Sequence, residues 1–137
     1  MINGRKDAIF EKKIFEVNKD AEIFYSNYHP TNLNDFKNKK LLAISGIGNP
    51  SNFFNLLSSY GLIVSKKFSF PDHYDFSKVE LENFVKLAQK NNYQIIMTEK
   101  DYFRIQKYNF EEIKYLKLDL KIDNLKIFKE RIFKIYD

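Results

Sequence analysis

The sequence contains no cysteine, no tryptophan and only four glycines. Without cysteine there can be no disulfide, no thiolate metal site and no cysteine nucleophile, and a reducing compartment fits. The four glycines, at positions 4, 46, 48 and 61, do not begin a GxxxxGK[ST] phosphate loop, and no serine lies in a nucleophile elbow. The two histidines, His29 and His73, are far apart and unsupported by cysteine, so no metal ligand is assigned. No run approaches the ~18 apolar residues of a membrane span. The amino terminus carries charges within its first seven residues, at Arg5, Lys6 and Asp7, and has no apolar stretch of signal-peptide length. A soluble, cytoplasmic chain is expected, with peripheral membrane contact left open.

What is present is a basic, aromatic-rich chain of 137 residues with 44% hydrophobic residues, enough for one sizeable core and one domain over residues 1–137. The 17% aromatic content accompanies abundant Lys, Asn and Ile, a usage typical of AT-rich genomes, and is discounted as a functional signal. A net charge of +5 would suit a nucleic acid, a phosphorylated ligand or an anionic membrane surface. The charge is scattered, however. Its densest clusters, at residues 37–40 and 66–67, are short and lack interleaved Arg and Gly, so a solvated surface is the preferred reading and no nucleic-acid partner is expected.

Periodicity sets the order of elements. Phe10, Ile14 and Val17 mark a helix over residues 7–18, and residues 21–28 read as a strand. A polar loop over 29–40 follows, then a buried strand over 41–45. The next helix presents Phe53, Leu56, Leu57 and Tyr60 and stops at Gly61. Leu62, Val64, Phe68 and Phe70 alternate as a strand interrupted by Lys66. A helix with Leu81, Phe84, Val85 and Ala88 on one face leads to a strand over 94–97, a short helix over 100–106, a strand over 115–120 and a last helix over 124–135. Alternating strands and helices predict an α/β fold: a Rossmann-like three-layer sandwich whose mainly parallel sheet has about five strands, with helices on both faces.

Ligands of open α/β sheets bind beyond the carboxyl ends of the strands. Three segments leave those ends: residues 46–50, 70–74 and 98–101. In the first, Gly46 and Gly48 allow backbone angles closed to other residues, Asn49 can cap the helix and Pro50 suits its first turn. The segment is either a helix amino terminus open to an anion or simply a tight, well-capped turn, and the turn is the default. In the second, Asp72, His73 and Tyr74 precede a capping box of Ser77 and Glu80. His73 could act as a general base beside carboxylates, or be a loop histidine bonded to backbone. In the third, Thr98 and Asp101 match a capping box, leaving Glu99 and Lys100 as a solvated pair or Lys100 facing an anionic substrate.

Taken in order, Gly46-Ile47-Gly48-Asn49-Pro50, Phe53-Phe54, Leu57, Gly61, Phe70-Pro71-Asp72-His73 and Met97-Thr98-Glu99-Lys100-Asp101 resemble the carboxyl-terminal signature of the tetraacyldisaccharide 4'-kinases. Each motif alone is weak, whereas the ordered set is specific and spans most of the chain. The resemblance implies transfer of the ATP γ-phosphate to the 4'-hydroxyl of the lipid A disaccharide precursor at the inner face of the cytoplasmic membrane, with Mg²⁺. It further implies that His73 is the histidine that partners a catalytic aspartate of the amino-terminal lobe, with Asp72 in the same pair. Gly46, Gly48, Asn49, Tyr74, Thr98, Glu99, Lys100 and Asp101 would line the substrate cleft. The family's phosphate loop, metal-binding acids and base have no counterpart here, so ATP and Mg²⁺ are expected only in the complete enzyme and none bound by this chain alone. The expectation is a kinase lobe that needs a separate P-loop lobe. The alternatives are a non-catalytic remnant or module binding an anionic glycolipid and, less favoured, a basic nucleic-acid-binding domain.

Overall fold

The computed structural model describes residues 1–136, which form two compact units: Met1–His29 with the residues from Leu118 on, and Pro30–Lys117. In chain order, β1 (Ile2–Asn3), α1 (Ala8–Val17) and β2 (Tyr25–Pro30) come first. They are followed by β3 (Lys40–Ser45), α2 (Pro50–Ser59), β4 (Ile63–Ser69), α3 (Lys78–Asn91), β5 (Tyr93–Thr98), α4 (Glu99–Ile105) and β6 (Ile113–Leu116). The chain ends with β7 (Leu118–Ile122) and α5 (Leu125–Tyr136).

In the smaller unit, β1, β2 and β7 form a three-stranded sheet in that order, with β1 parallel to β2. Asp7 caps α1 by accepting from the amides of Ile9 and Phe10. The Tyr25 hydroxyl accepts from the Asp7 amide and donates to Glu11 at 2.8 Å, fixing the start of α1 to β2.

The larger unit holds a four-stranded, all-parallel sheet in the order β4-β3-β5-β6. The fold is α/β as expected, with two differences in strand assignment. The sheet has four strands rather than five, because the strand expected at 21–28 forms at Tyr25–Pro30 in the other sheet. The alternation Leu116, Leu118, Leu120 is also not one strand. It breaks at Lys117, whose amide donates to Asn32 Oδ1 and whose carbonyl accepts from Thr31, while Asn32 also donates to the Tyr115 carbonyl. The polar segment after β2 thereby satisfies the outer edge of β6, and Leu118–Ile122 joins the second sheet.

Leu42, Ile44, Ile95, Met97 and Ile113 turn to one face of this sheet and pack with Leu81, Val85 and Ala88 of α3 and Ile105 of α4. Leu41, Ala43 and Ile96 turn to the other face and are also buried. Such two-sided burial is why these strands read as continuous apolar runs. The edge strand β4 carries a bulge at Ser65: Leu41 pairs with Val64, but Leu42 pairs with Lys66. The extra residue moves Val64 to the face opposite Phe68, so the interruption expected at Lys66 is a change of register, and Val64 and Phe68 do not share the one face expected of them.

Strand order locates the site. From β3 the chain steps outward to β4, then crosses back past β3 to β5 and on to β6. Crossovers of one hand running in opposite directions put α2 on one face and α3 and α4 on the other. The loops that leave β3 and β5 therefore diverge, and the crevice between them is the switch point where α/β sheets bind ligands.

Candidate functional site

The three loops meet at that switch point, and the buried carboxylate of Asp101 joins two of them. Its Oδ2 accepts from the Gly46 amide at 2.9 Å and from the Thr98 hydroxyl at 2.7 Å. Its Oδ1 accepts from Arg104 Nη1 at 3.3 Å. Thr98 caps α4 through the Asp101 amide at 3.1 Å, as the capping motif anticipates. The return half of the box is replaced, because the Asp101 carboxylate turns across to Gly46. Asp101 was expected on the rim of a cleft; with no exposed area, it ties the rim together from inside.

Close packing favours glycine at position 46. A Cβ there would lie 3.3 Å from Asp101 Oδ1 and from Tyr74 Cβ, and 3.5 Å from the Pro71 carbonyl. The expectation of special backbone angles at Gly46 and Gly48 is corrected, since the positive-φ glycines are Gly4 and Gly61. At Gly48 there is room for a side chain, since a Cβ there would meet only the Asp72 carboxylate, at 3.6 Å from Oδ2. Asn49 takes the N-cap position of α2 without a side-chain cap hydrogen bond, so it is exposed and uncommitted, while Pro50 occupies the first turn as expected.

The second loop is anchored by aromatic packing. Phe70 lies 4.6 Å from Tyr74 and 5.0 Å from Phe76 between ring centroids, and Tyr74 and Phe76 are 5.0 Å apart. The expected capping box at α3 forms in full, and Tyr74 donates to the other oxygen of its Glu80 at 2.6 Å. The hydrogen bonds from Ser77 and then from Tyr74 hold the Glu80 carboxyl below its usual range. The same contact with Glu80 raises the Tyr74 phenol, which is therefore neutral here.

Between these anchors the backbone at His73 adopts φ 62°, a left-handed conformation that histidine tolerates better than most residues. The His73 amide donates to the Gly46 carbonyl at 3.2 Å and to Asp72 Oδ1 at 3.0 Å. The imidazole is thereby turned outward, with its side chain 71% exposed. Nδ1 lies 2.7 Å from Arg104 Nη2, and Nε2 lies 3.6 Å from Asp72 Oδ2. Lys100 Nζ reaches Asp72 Oδ1 at 3.3 Å. Desolvation pushes the Asp72 carboxyl upward, but the hydrogen bond from Lys100 and the charges of His73 and Lys100 outweigh it and hold it below the ordinary carboxylate value.

The solvated pair expected between Glu99 and Lys100 does not form. Adjacent helical residues point in different directions, and Lys100 crosses to Asp72 instead. Arg104 escaped the sequence reading altogether. Its only signal was a spacing of three from Asp101 on a short helix, and it connects Asp101, His73 and the Gly46 carbonyl, which it reaches at 3.4 Å. An exposed imidazole between a carboxylate and two cations can accept or pass a proton and can face an anionic group. Among the described residues, no three His, Asp or Glu side chains converge in a manner able to hold a metal ion, and no helix is long and apolar enough to cross a membrane.

Three comparisons bear on identity. The family model described as tetraacyldisaccharide-1-P 4'-kinase matches residues 3–136. The tetraacyldisaccharide 4'-kinase of Pelagibacter ubique (strain HTCC1062) is 33% identical over 137 residues, covering 98% of this chain and 44% of that protein. The one from Rickettsia africae (strain ESF-5) is 39% identical over 136 residues, covering 98% and 40%. Among solved structures, the "apo" form of LpxK from Aquifex aeolicus in complex with ATP is similar with a TM-score of 0.60 at 20% identity, over 96% of this chain and 46% of that one, a likeness of fold. The chain spans less than half the length of these relatives.

Proposed function

Because the chain belongs to the tetraacyldisaccharide-1-P 4'-kinase family, we propose that it is the carboxyl-terminal lobe of a lipid A 4'-kinase. It acts together with a P-loop lobe to transfer the γ-phosphate of ATP to the 4'-hydroxyl of the tetraacyldisaccharide 1-phosphate precursor. The observation that carries this reading is the convergence of the three loops at the sheet's switch point, with His73 directed outward beside Asp72, Lys100 and Arg104.

In this reading His73 and Asp72 are the catalytic pair, with His73 facing an aspartate of the other lobe. Gly48, Asn49, Tyr74, Glu99 and Lys100 border the cleft, whereas Gly46, Thr98 and Asp101 shape it. ATP and Mg²⁺ do not fit the donor set of this chain. It has no phosphate loop and, among the described residues, no metal-binding cluster, so both are assigned to the complementing lobe. The substrate's acyl chains place the assembled enzyme at the inner face of the cytoplasmic membrane, where the protein makes peripheral contact.

The test is complementation. Supplying a family P-loop lobe should restore ATP-dependent 4'-phosphorylation, and His73→Ala should lower turnover about 100-fold or more, the range of a lost acid or base. Unchanged turnover in that variant would remove the role assigned to His73. Binding of the disaccharide precursor by this chain alone, without restored phosphorylation, would favour the binding-module alternative, which the exposed cation Lys100 supports.

A further inference from the structure

We infer that Arg104 is a positioning residue that fixes both the orientation and the tautomer of His73. The ring has little else to hold it: its side chain is 71% exposed, and the groups that face it are Arg104, Lys100 and Asp72. Arg104 is held much more firmly. It is 23% exposed, and its Nη1 donates to buried Asp101 Oδ1 at 3.3 Å and to the Gly46 carbonyl at 3.4 Å, which leaves Nη2 aimed at the ring.

A guanidinium has donors only. The 2.7 Å contact of Nη2 with Nδ1 therefore makes Nδ1 the acceptor and leaves the ring proton on Nε2, facing Asp72. In that tautomer the 3.5 Å approach of Lys100 Nζ to Nε2 sets donor against donor. It arises because both groups reach the Asp72 carboxylate, not from a bond between them.

Arg104 thus transmits the rigidity of the buried Asp101 clamp to an exposed imidazole and presents its N–H to a carboxylate. That the carboxylate served is one on the complementing lobe rests on the function proposed above. The state of the ring does not.

Ring nitrogen spectra of the ¹⁵N-labelled chain test the inference, with His73 told apart from His29 by a His29→Gln variant. In the parent, at a pH where the ring is neutral, Nδ1 should be pyridine-like and Nε2 pyrrole-like, with widely separated signals. Arg104→Met should draw the two signals together, toward the tautomer mixture of a free imidazole. Arg104→Lys, which keeps a charge beside Asp101 but cannot bridge to the ring, should do the same and serves if Arg104→Met disturbs the fold. From the other side, the exposed change His73→Ala should release the Arg104 guanidinium, whose separate terminal nitrogen signals in the parent then merge. Identical His73 spectra in the parent and a folded Arg104 variant, or an Arg104 guanidinium indifferent to His73→Ala, would overturn the assignment. Both measurements use this chain alone, so they stand or fall separately from restored kinase activity.

Discussion

The two units hold their apolar residues in opposite ways. Among the described residues 20 hydrophobic side chains are buried, and every one but Tyr25 belongs to Pro30–Lys117. The smaller unit instead supplies most of the large hydrophobics left exposed, among them Ile9, Val17, Phe133 and Ile135. Its α1 buries no residue, although Phe10, Ile14 and Val17 repeat at helical spacing as a core-facing helix would. Helical periodicity thus has two outcomes: α3 buries its stripe against a sheet, whereas α1, tied to β2 through Tyr25, leaves Ile14 half-buried and Phe10 and Val17 exposed. An amphipathic pattern records that a face is meant to be covered and does not say by what. Under the function proposed here, the family's remaining length is available to do so.

The most severe test of this contrast is to remove side chains from each unit. Ile95→Ala, in the middle of the larger core, should cost about 2–5 kcal/mol, whereas Val17→Ala, at a position 90% exposed, should stay within about 0.5 kcal/mol. Urea unfolding of the two variants checks both, and comparable losses would show that the smaller unit has a core of its own. Next in size is Asp101→Ala, which strips partners from the Gly46 amide, the Thr98 hydroxyl and Arg104. Unpairing buried polar and charged groups puts its cost at about 3 kcal/mol. Amide exchange at Gly46 should accelerate along with the loss of stability. A slow Gly46 amide in that variant would mean that the β3 loop is held by other contacts.

How much of this was legible varies with the range of the physics. Local signals were readable: the Ser77–Glu80 capping box, the stop at Gly61 and the stripe of α3 all depend on residues within a turn or two of each other. What escaped depends on distant partners. The bulge at Ser65 looks in sequence like a polar interruption, because only the register against β3 reveals the added residue. The break at Lys117 needs Thr31 and Asn32, more than 80 positions away. The candidate site divides along the same line. Loop positions followed from strand ends, so Asp72, His73 and Lys100 could be singled out, but a spacing of three between Asp101 and Arg104 acquires meaning only once Asp101 is known to be buried.

A smaller effect separates the rim from the core beneath it. Glu80 and Asp72 have lowered carboxyl pKa values, the first through Ser77 and Tyr74 and the second through Lys100 and His73 against desolvation. Each therefore contributes stability that is complete above the ordinary carboxylate range and is lost as pH falls through the lower folded value. The raised Tyr74 acts in the opposite sense, its contribution being lost as pH rises past the ordinary tyrosine range. Unfolding midpoints in Glu80→Gln should accordingly fall less than the parent's on acidification below about pH 4.5. Parallel curves would locate the acid-sensitive contacts elsewhere.

The smallest effect is expected where the core reaches the rim. Ser45, the last residue of β3, is fully buried, and its Oγ has no hydrogen-bond partner among the described residues, although its carbonyl accepts from the Phe70 amide at 2.8 Å. An unpaired buried hydroxyl has lost its water without compensation. Ser45→Ala leaves the backbone bond in place and removes that penalty, so stability should be unchanged or rise by up to about 1 kcal/mol. Thr98→Ala, at the end of the neighbouring strand β5, takes a donor from Asp101 and should instead cost about 1 kcal/mol. Denaturant midpoints of the pair distinguish a hydroxyl that fastens the rim from one that merely lies beneath it. A loss for Ser45→Ala as large as that for Thr98→Ala would mean that Ser45 is bonded after all, and that the floor under the three loops is polar rather than dry.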